Sequence, residues 1–226
     1  MTTWAIPPAD PAWVAVHDSP ARFAVRRIFC VGRNYADHGI EMGGDPRTEP
    51  PFYFTKPADA VVASGSTIPY PPGTSDFHHE GELVVAIGKA GQDVSVADAP
   101  GLVFGFAAGN DLTRRDLQAQ AKATRRPWDM SKGFDRSAVV GAIRPGPLDP
   151  AATLRLTVNG TVRQDTTLKM MIWSVPEIVS NLSQLVALAP GDLIMTGTPA
   201  GVGPLVRGDT CEVTITGLPP ARVTID

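Results

Sequence analysis

Two acidic residues stand one residue apart at the entrance to an apolar run: residues 78–88 read His-His-Glu-Gly-Glu-Leu-Val-Val-Ala-Ile-Gly. The run after Glu82 is apolar and β-branched, so it predicts a strand, and Glu80 and Glu82, at i and i+2, project from one face of it. Adjacent carboxylates repel and lose solvation on burial, so such a pair needs positive charge between its members. A hard divalent cation meets that need, because Mg²⁺, Mn²⁺ and Ca²⁺ take oxygen ligands. The competing reading of these residues alone is an edge strand carrying two solvated glutamates. His78 and His79 adjoin the pair, but one of them must point away from Glu80, and supporting or packing roles are favoured over ligation for both.

The rest of the chain narrows the setting. A length of 226 residues suits one sizeable core, and a formal net charge of −3 offers no basic field for nucleic acid or an anionic membrane. A small-molecule partner is the expectation. Cys30 and Cys211 are too few for a disulfide scaffold. The first ten residues lack a basic and then apolar leader, and no stretch has the length to span a bilayer, so a cytoplasmic location is expected. Residues 1–25, rich in proline and alanine, read as an extended N-terminal arm, and residues 26–226 as one domain.

Within that domain the pattern is strand after strand. Ile28–Val31, Phe52–Phe54, Ala60–Val62 and Val103–Ala108 are short apolar runs, and Asn159-Gly160 between two β-rich runs predicts a hairpin. Helical spacing is confined to a brief lip ending at Gly43-Gly44, a short piece over 96–102, a polar stretch over 112–124, and Ser174–Leu188. In the last, Val175, Ile178, Val179, Leu182, Leu185 and Val186 form one stripe. Strands and helices do not alternate, so the expected class is β-rich α+β rather than doubly wound.

Three places collect polar groups on apolar supports. Asp111 follows an apolar strand as Glu80 precedes one, and the three carboxylates together make a cage suited to octahedral Mg²⁺ or Mn²⁺. No Cys/His spacing fits zinc. His38 and Glu41, three apart in the lip, meet on one helical face, where a carboxylate would orient the imidazole as a general base; an exposed His-Glu pair is the alternative. Lys132 lies between aromatics in a loop and is either a site cation or an ordinary surface lysine. The run Thr196-Gly-Thr-Pro-Ala-Gly-Val-Gly lacks the Gly-Lys-Ser/Thr of a phosphate loop.

Six segments taken together carry a resemblance: Gly32-Arg-Asn-Tyr-Ala-Asp-His38, Lys56-Pro57, His79-Glu-Gly-Glu-Leu83, Asn110-Asp-Leu-Thr-Arg-Arg-Asp-Leu-Gln118, Lys132-Gly-Phe134 and Thr196-Gly-Thr-Pro-Ala-Gly-Val-Gly203. In order and spacing the chain from about Arg26 to its end resembles the fumarylacetoacetate hydrolase family, and within it looks most like bacterial fumarylpyruvate hydrolases. The resemblance implies a mixed β-sandwich or β-roll, a homodimer, and a Mg²⁺ or Mn²⁺ ion on Glu80, Glu82 and Asp111. It also implies His38 with Glu41 as the water-activating dyad, Lys132 as the cation near the reacting oxygen, and Gln118 and Thr198 as substrate contacts. Arg33, Arg114 and Arg115 are candidates for a second substrate carboxylate, since guanidinium binds carboxylate bidentately.

The activity so implied is hydrolysis of the C–C bond of a 2,4-dioxo acid, fumarylpyruvate to fumarate and pyruvate in gentisate breakdown. An acylpyruvase or oxaloacetate decarboxylase built on the same site is the alternative. A metal-stabilised dicarboxylate-binding protein without turnover is a third reading, from a different class.

Overall fold

The computed structural model describes residues 3–35 and 50–226; the lip predicted to carry His38 and Glu41 lies outside the described residues. The larger sheet runs, in spatial order, Phe52–Lys56, Arg27–Gly32, Asp192–Met195, Gly81–Ile87, Val103–Asp111, Ala138–Val140 and Val61–Ala63, with Arg144–Pro145 paired beside Val103–Asp111. Its two outer strands are neighbours in sequence, joined by residues 57–60. Laid flat, seven strands would hold their outer members about 29 Å apart. The link from Lys56 to Val61 reaches about 18 Å at most. The sheet therefore curls until its edges approach, and the polypeptide at one edge is brought back toward the middle strands.

Alternation along the strands divides the molecule into an inside and an outside. Val84, Ala86, Ile28, Cys30, Ala107, Leu193 and Met195 point into the curl and pack together. Their sequence neighbours Val85, Ile87, Phe29, Val31 and Ile194 point out and are covered by the helix Val175–Leu185. The strand Gly81–Ile87 is buried along its whole length because it has a strand on each side and a cover on each face. The edge-strand reading of Glu80 and Glu82 is thereby excluded.

A second sheet, in the order Thr161–Thr167, Thr153–Val158, Thr210–Ile215, Ala221–Ile225 and Ser66–Ile68, packs its apolar face against Leu83, Ala108 and Val139 of the first. The predicted hairpin is its first pair, and Asn159 and Gly160 adopt φ of 51° and 77°, the left-handed values a tight two-residue turn requires. This arrangement of strand-dominated, curled and stacked sheets with few helices is the β-rich α+β class expected.

Several elements differ in detail from the expectation. Within the stretch read as an extended arm, Trp13–Ala15 pairs antiparallel with Arg22–Ala24, and Val14 and Val25 join the inner core, so that part belongs to the domain. The helix expected over 96–102 is a single 3₁₀ turn, Ala99–Leu102. In the helix Val175–Leu185, Ile178, Val179 and Leu182 are buried but Leu185 is 66% exposed, because the stripe drifts off the sheet at the helix end. Asn110 and Asp111 lie inside the strand Val103–Asp111 rather than after it. Among the described residues no helix is long and apolar enough to cross a membrane.

Candidate metal centre

The inward face of the curl changes character at one end. Glu82 shares the face of Val84 and Ala86, and Asp111 shares the face of Ala107, so both carboxylates extend the apolar interior. Glu80, just before the strand, is tied to Asp111 by the Asp111 N–H, which donates to the Glu80 carbonyl at 2.8 Å. The outcome is one buried cluster in which an oxygen of each of Glu80, Glu82 and Asp111 lies within 4.8 Å of the others. His78 and His79 stand apart from it. His78 Nε2 lies 2.7 Å from Asp76, and burial, followed by His78, pushes His79 down to about 4, so it is neutral at pH 7.

Three cations answer the three acids, unevenly. Lys132 is buried and donates to Glu80 Oε2 at 2.6 Å, Asp111 Oδ2 at 2.8 Å and Thr113 Oγ1 at 2.7 Å, which uses all three of its ammonium hydrogens. Burial opposes its charge, but Asp111 and Glu80 outweigh that and hold the ammonium above its ordinary pKa. Lys56, also buried, sits 2.7 Å from Asp111 Oδ1 and donates to the carbonyls of Leu112 and Lys132. Arg115 pairs with Glu80 Oε1. Glu82 is left with the Gly197 N–H, which donates to its Oε2 at 2.7 Å. Gly197 has φ of +96°, and a Cβ there would stand 2.7 Å from that of Asn34, so the turn that delivers this N–H requires glycine. Burial, then Asp111, then Glu80 push Glu82 well above the usual carboxylate range.

That imbalance suits a bound metal ion. Three hard oxygen donors converge, one of them buried with no cationic partner among the described residues, and a divalent cation supplies the missing charge. An apolar groove of about 550 Å³ lies on the other side of the same strand, where Leu83 meets Pro100, Leu148 and Pro176. It carries no convergent set of acids, so it is not a competing metal site.

The mouth of the cluster is a pocket lined by Arg33, Phe54, Arg115, Gln118, Lys122, Trp128 and Thr198 beside the two glutamates and Lys132. Gln118 accepts from Arg115 Nη1 through its Oε1, which leaves its amide hydrogens as donors to the pocket. Thr198 donates to the Gly81 carbonyl at 2.9 Å and accepts from Gln164 at 2.8 Å. Of the arginines, Arg33 and Arg115 reach the pocket, whereas Arg114 turns away, its guanidinium 4.2 Å from the Phe134 ring centroid and donating to the Met130 carbonyl. Sequence reasoning did not single out Lys122 or Gln164, and it met Lys56 only as part of the Lys56-Pro57 segment, with no role assigned. Lys56 had one local signal, since it shares a strand face with Phe54 at i+2.

Comparison with known proteins places this geometry. The family model described as "Fumarylacetoacetate (FAA) hydrolase C-terminal" matches residues 27–226. The chain belongs to this family. A fumarylpyruvate hydrolase from Pseudomonas aeruginosa, crystallised with Mn²⁺ and pyruvate, superposes with a TM-score of 0.95 at 46% identity over 99% of each chain. A fumarylpyruvate hydrolase from Ralstonia sp is 44% identical over 80% of this chain and 95% of its own. A mitochondrial oxaloacetate decarboxylase from Dictyostelium discoideum is 40% identical over 85% of this chain and 90% of its own. With these relatives and the acidic cluster, the protein is a hydrolase-family enzyme with a divalent-metal site.

Proposed function

We propose that the protein hydrolyses the C–C bond of a 2,4-dioxo acid, converting fumarylpyruvate and water into fumarate and pyruvate. The observation that carries the reading is the buried convergence of Glu80, Glu82 and Asp111 beside Lys132. Similarity to the Pseudomonas aeruginosa enzyme, crystallised with Mn²⁺ and pyruvate, supports it.

A Mg²⁺ or Mn²⁺ ion held by the three acids would supply Lewis acidity toward the carboxylate and 2-keto oxygen of the substrate. His38, oriented by Glu41, takes the proton of the attacking water as its oxygen bonds to the distal carbonyl carbon. Both residues lie outside the described residues, and their role rests on the resemblance. Lys132 offsets the negative charge on the attacked oxygen in a site from which water is largely excluded. When that oxygen regains its double bond, the C–C bond breaks. The electron pair leaves as the enolate of pyruvate, which is then protonated, and the acyl half leaves as fumarate. Gln118, Thr198 and Arg33 contact the substrate; a homodimer in the cytoplasm completes the proposal.

Turnover of fumarylpyruvate and oxaloacetate by purified protein loaded with Mg²⁺ or Mn²⁺ tests the reading. Faster turnover of fumarylpyruvate is expected, and much faster turnover of oxaloacetate would shift the assignment to the decarboxylase that the Dictyostelium relative supports. His38→Ala should depress kcat strongly with metal binding retained. Unchanged activity in that variant would contradict the dyad, and no turnover of any dioxo acid would favour a binding protein.

A further inference from the structure

One cation at the pocket has no work in the acidic cluster. Lys122 lies on the helix Arg115–Ala123, where Arg115, Gln118 and Lys122 fall at i, i+3 and i+7 on one face, the face that lines the pocket. Arg115 is committed to Glu80, and Gln118 to Arg115. Lys122, one turn beyond Gln118 and roughly 10 Å along the axis from Arg115, forms no ion pair with a described residue, although it is about half buried. Burial first, then Arg115 and Arg33, push its ammonium down to about 8, with Lys132 adding to the repulsion and Glu80 opposing it. A half-buried cation crowded by cations is a costly arrangement that an anion would relieve.

The aromatic wall gives that anion a direction. Lys132 Nζ stands 5.0 Å from the ring centroid of Phe54, Phe54 lies 5.7 Å from Trp128, and Lys122 Nζ stands 5.2 Å from the centroid of Trp128. The two rings thus form a strip with an ammonium at each end, the inner one within the acidic cluster and the outer one in no ion pair with a described carboxylate. A planar, conjugated acyl chain lies well along such a strip. If its inner end reacts on the Lys132 side, a carboxylate at its far end points along the strip toward Lys122.

We propose that Lys122 is a specificity-determining residue that binds the distal carboxylate of a dicarboxylic dioxo acid across the Phe54–Trp128 strip, selecting a charged acyl group over a neutral one. This rests on the reading of the site as a fumarylpyruvate hydrolase. The test compares metal-loaded wild type, Lys122→Gln and Lys122→Arg on fumarylpyruvate and on acetylpyruvate, whose acyl group is uncharged. For fumarylpyruvate, Lys122→Gln should raise KM by about tenfold to a hundredfold with kcat little changed, the loss expected for one charge-assisted hydrogen bond. Acetylpyruvate kinetics should be unaltered, and Lys122→Arg should restore most of the difference. An equal loss on both substrates, or no change on either, would overturn the proposal. Failure of wild type itself to turn over fumarylpyruvate would instead overturn the reading on which it rests.

Discussion

Two buried clusters of charge sit at different ends of the same sheet, and they are built on opposite plans. At the start of the strand Asp192–Met195, Asp192 is fully buried yet fully answered. Arg26 donates to both of its oxygens at 3.1 Å, Arg27 donates to both at 3.0 and 3.2 Å, and the Ala189 N–H adds a bond at 2.9 Å. At the metal centre three acids crowd together, Lys132 and Lys56 are spent on two of them, and Glu82 is left, among the described residues, with a single backbone donor. Burial of a carboxylate therefore does not mark a functional site. A buried carboxylate whose neighbours withhold neutralisation does, because its environment is complete only when a cation from outside arrives.

Substitutions at the two clusters separate their roles. The largest effect is expected for Lys56→Met, which leaves Asp111 with a buried charge it shares only with Lys132; the metal-free protein should lose about 3–5 kcal/mol, seen as a drop in Tm of roughly 10 °C. Partial recovery of that Tm on adding Mn²⁺ is expected, since a bound cation would compensate the lost ammonium. Lys132→Met comes next: kcat should fall by about 10²–10³ while Mn²⁺ still binds, and unaltered turnover would remove Lys132 from the chemistry. Asp192→Asn should lower stability by about 2 kcal/mol, because Arg26 and Arg27 remain partly solvated, and should leave turnover as in wild type; a matching loss of activity would mean the two clusters are not independent. Smallest of all, Asp165→Ala removes the half-exposed pair with Arg155 and should shift Tm by no more than the equivalent of about 1 kcal/mol.

What could be read from the sequence follows the range of the interactions involved. The Glu80-Gly-Glu82 spacing, the Asn159-Gly160 turn and the buried stripe of Ile178, Val179 and Leu182 are local, and periodicity or turn chemistry is sufficient to see them. Asp111 was legible because an apolar strand leads into it, although the strand carries it rather than stopping short. Lys56 was not legible as a partner of Asp111. Its strand is four places from Val103–Asp111 in the sheet, and only the curl that links the edge strands through residues 57–60 brings the two together. Gln164 is similar: it reaches Gly81, Thr198 and Pro199 from the second sheet, a contact made by packing between sheets. Arg114 and Arg115 are adjacent in sequence and nothing local separates them, yet one turns to Phe134 and the other to Glu80.

Glu82 is buried in wait for a divalent cation, whereas Asp192 is buried and complete. Calorimetric titration of metal-free wild type, Glu82→Gln and Asp192→Asn with Mn²⁺ tests that distinction directly. One Mn²⁺ per chain should bind to wild type and to Asp192→Asn, with binding lost or weakened by at least about a hundredfold in Glu82→Gln. Equal binding by wild type and Glu82→Gln, or loss of binding in Asp192→Asn, would contradict the distinction.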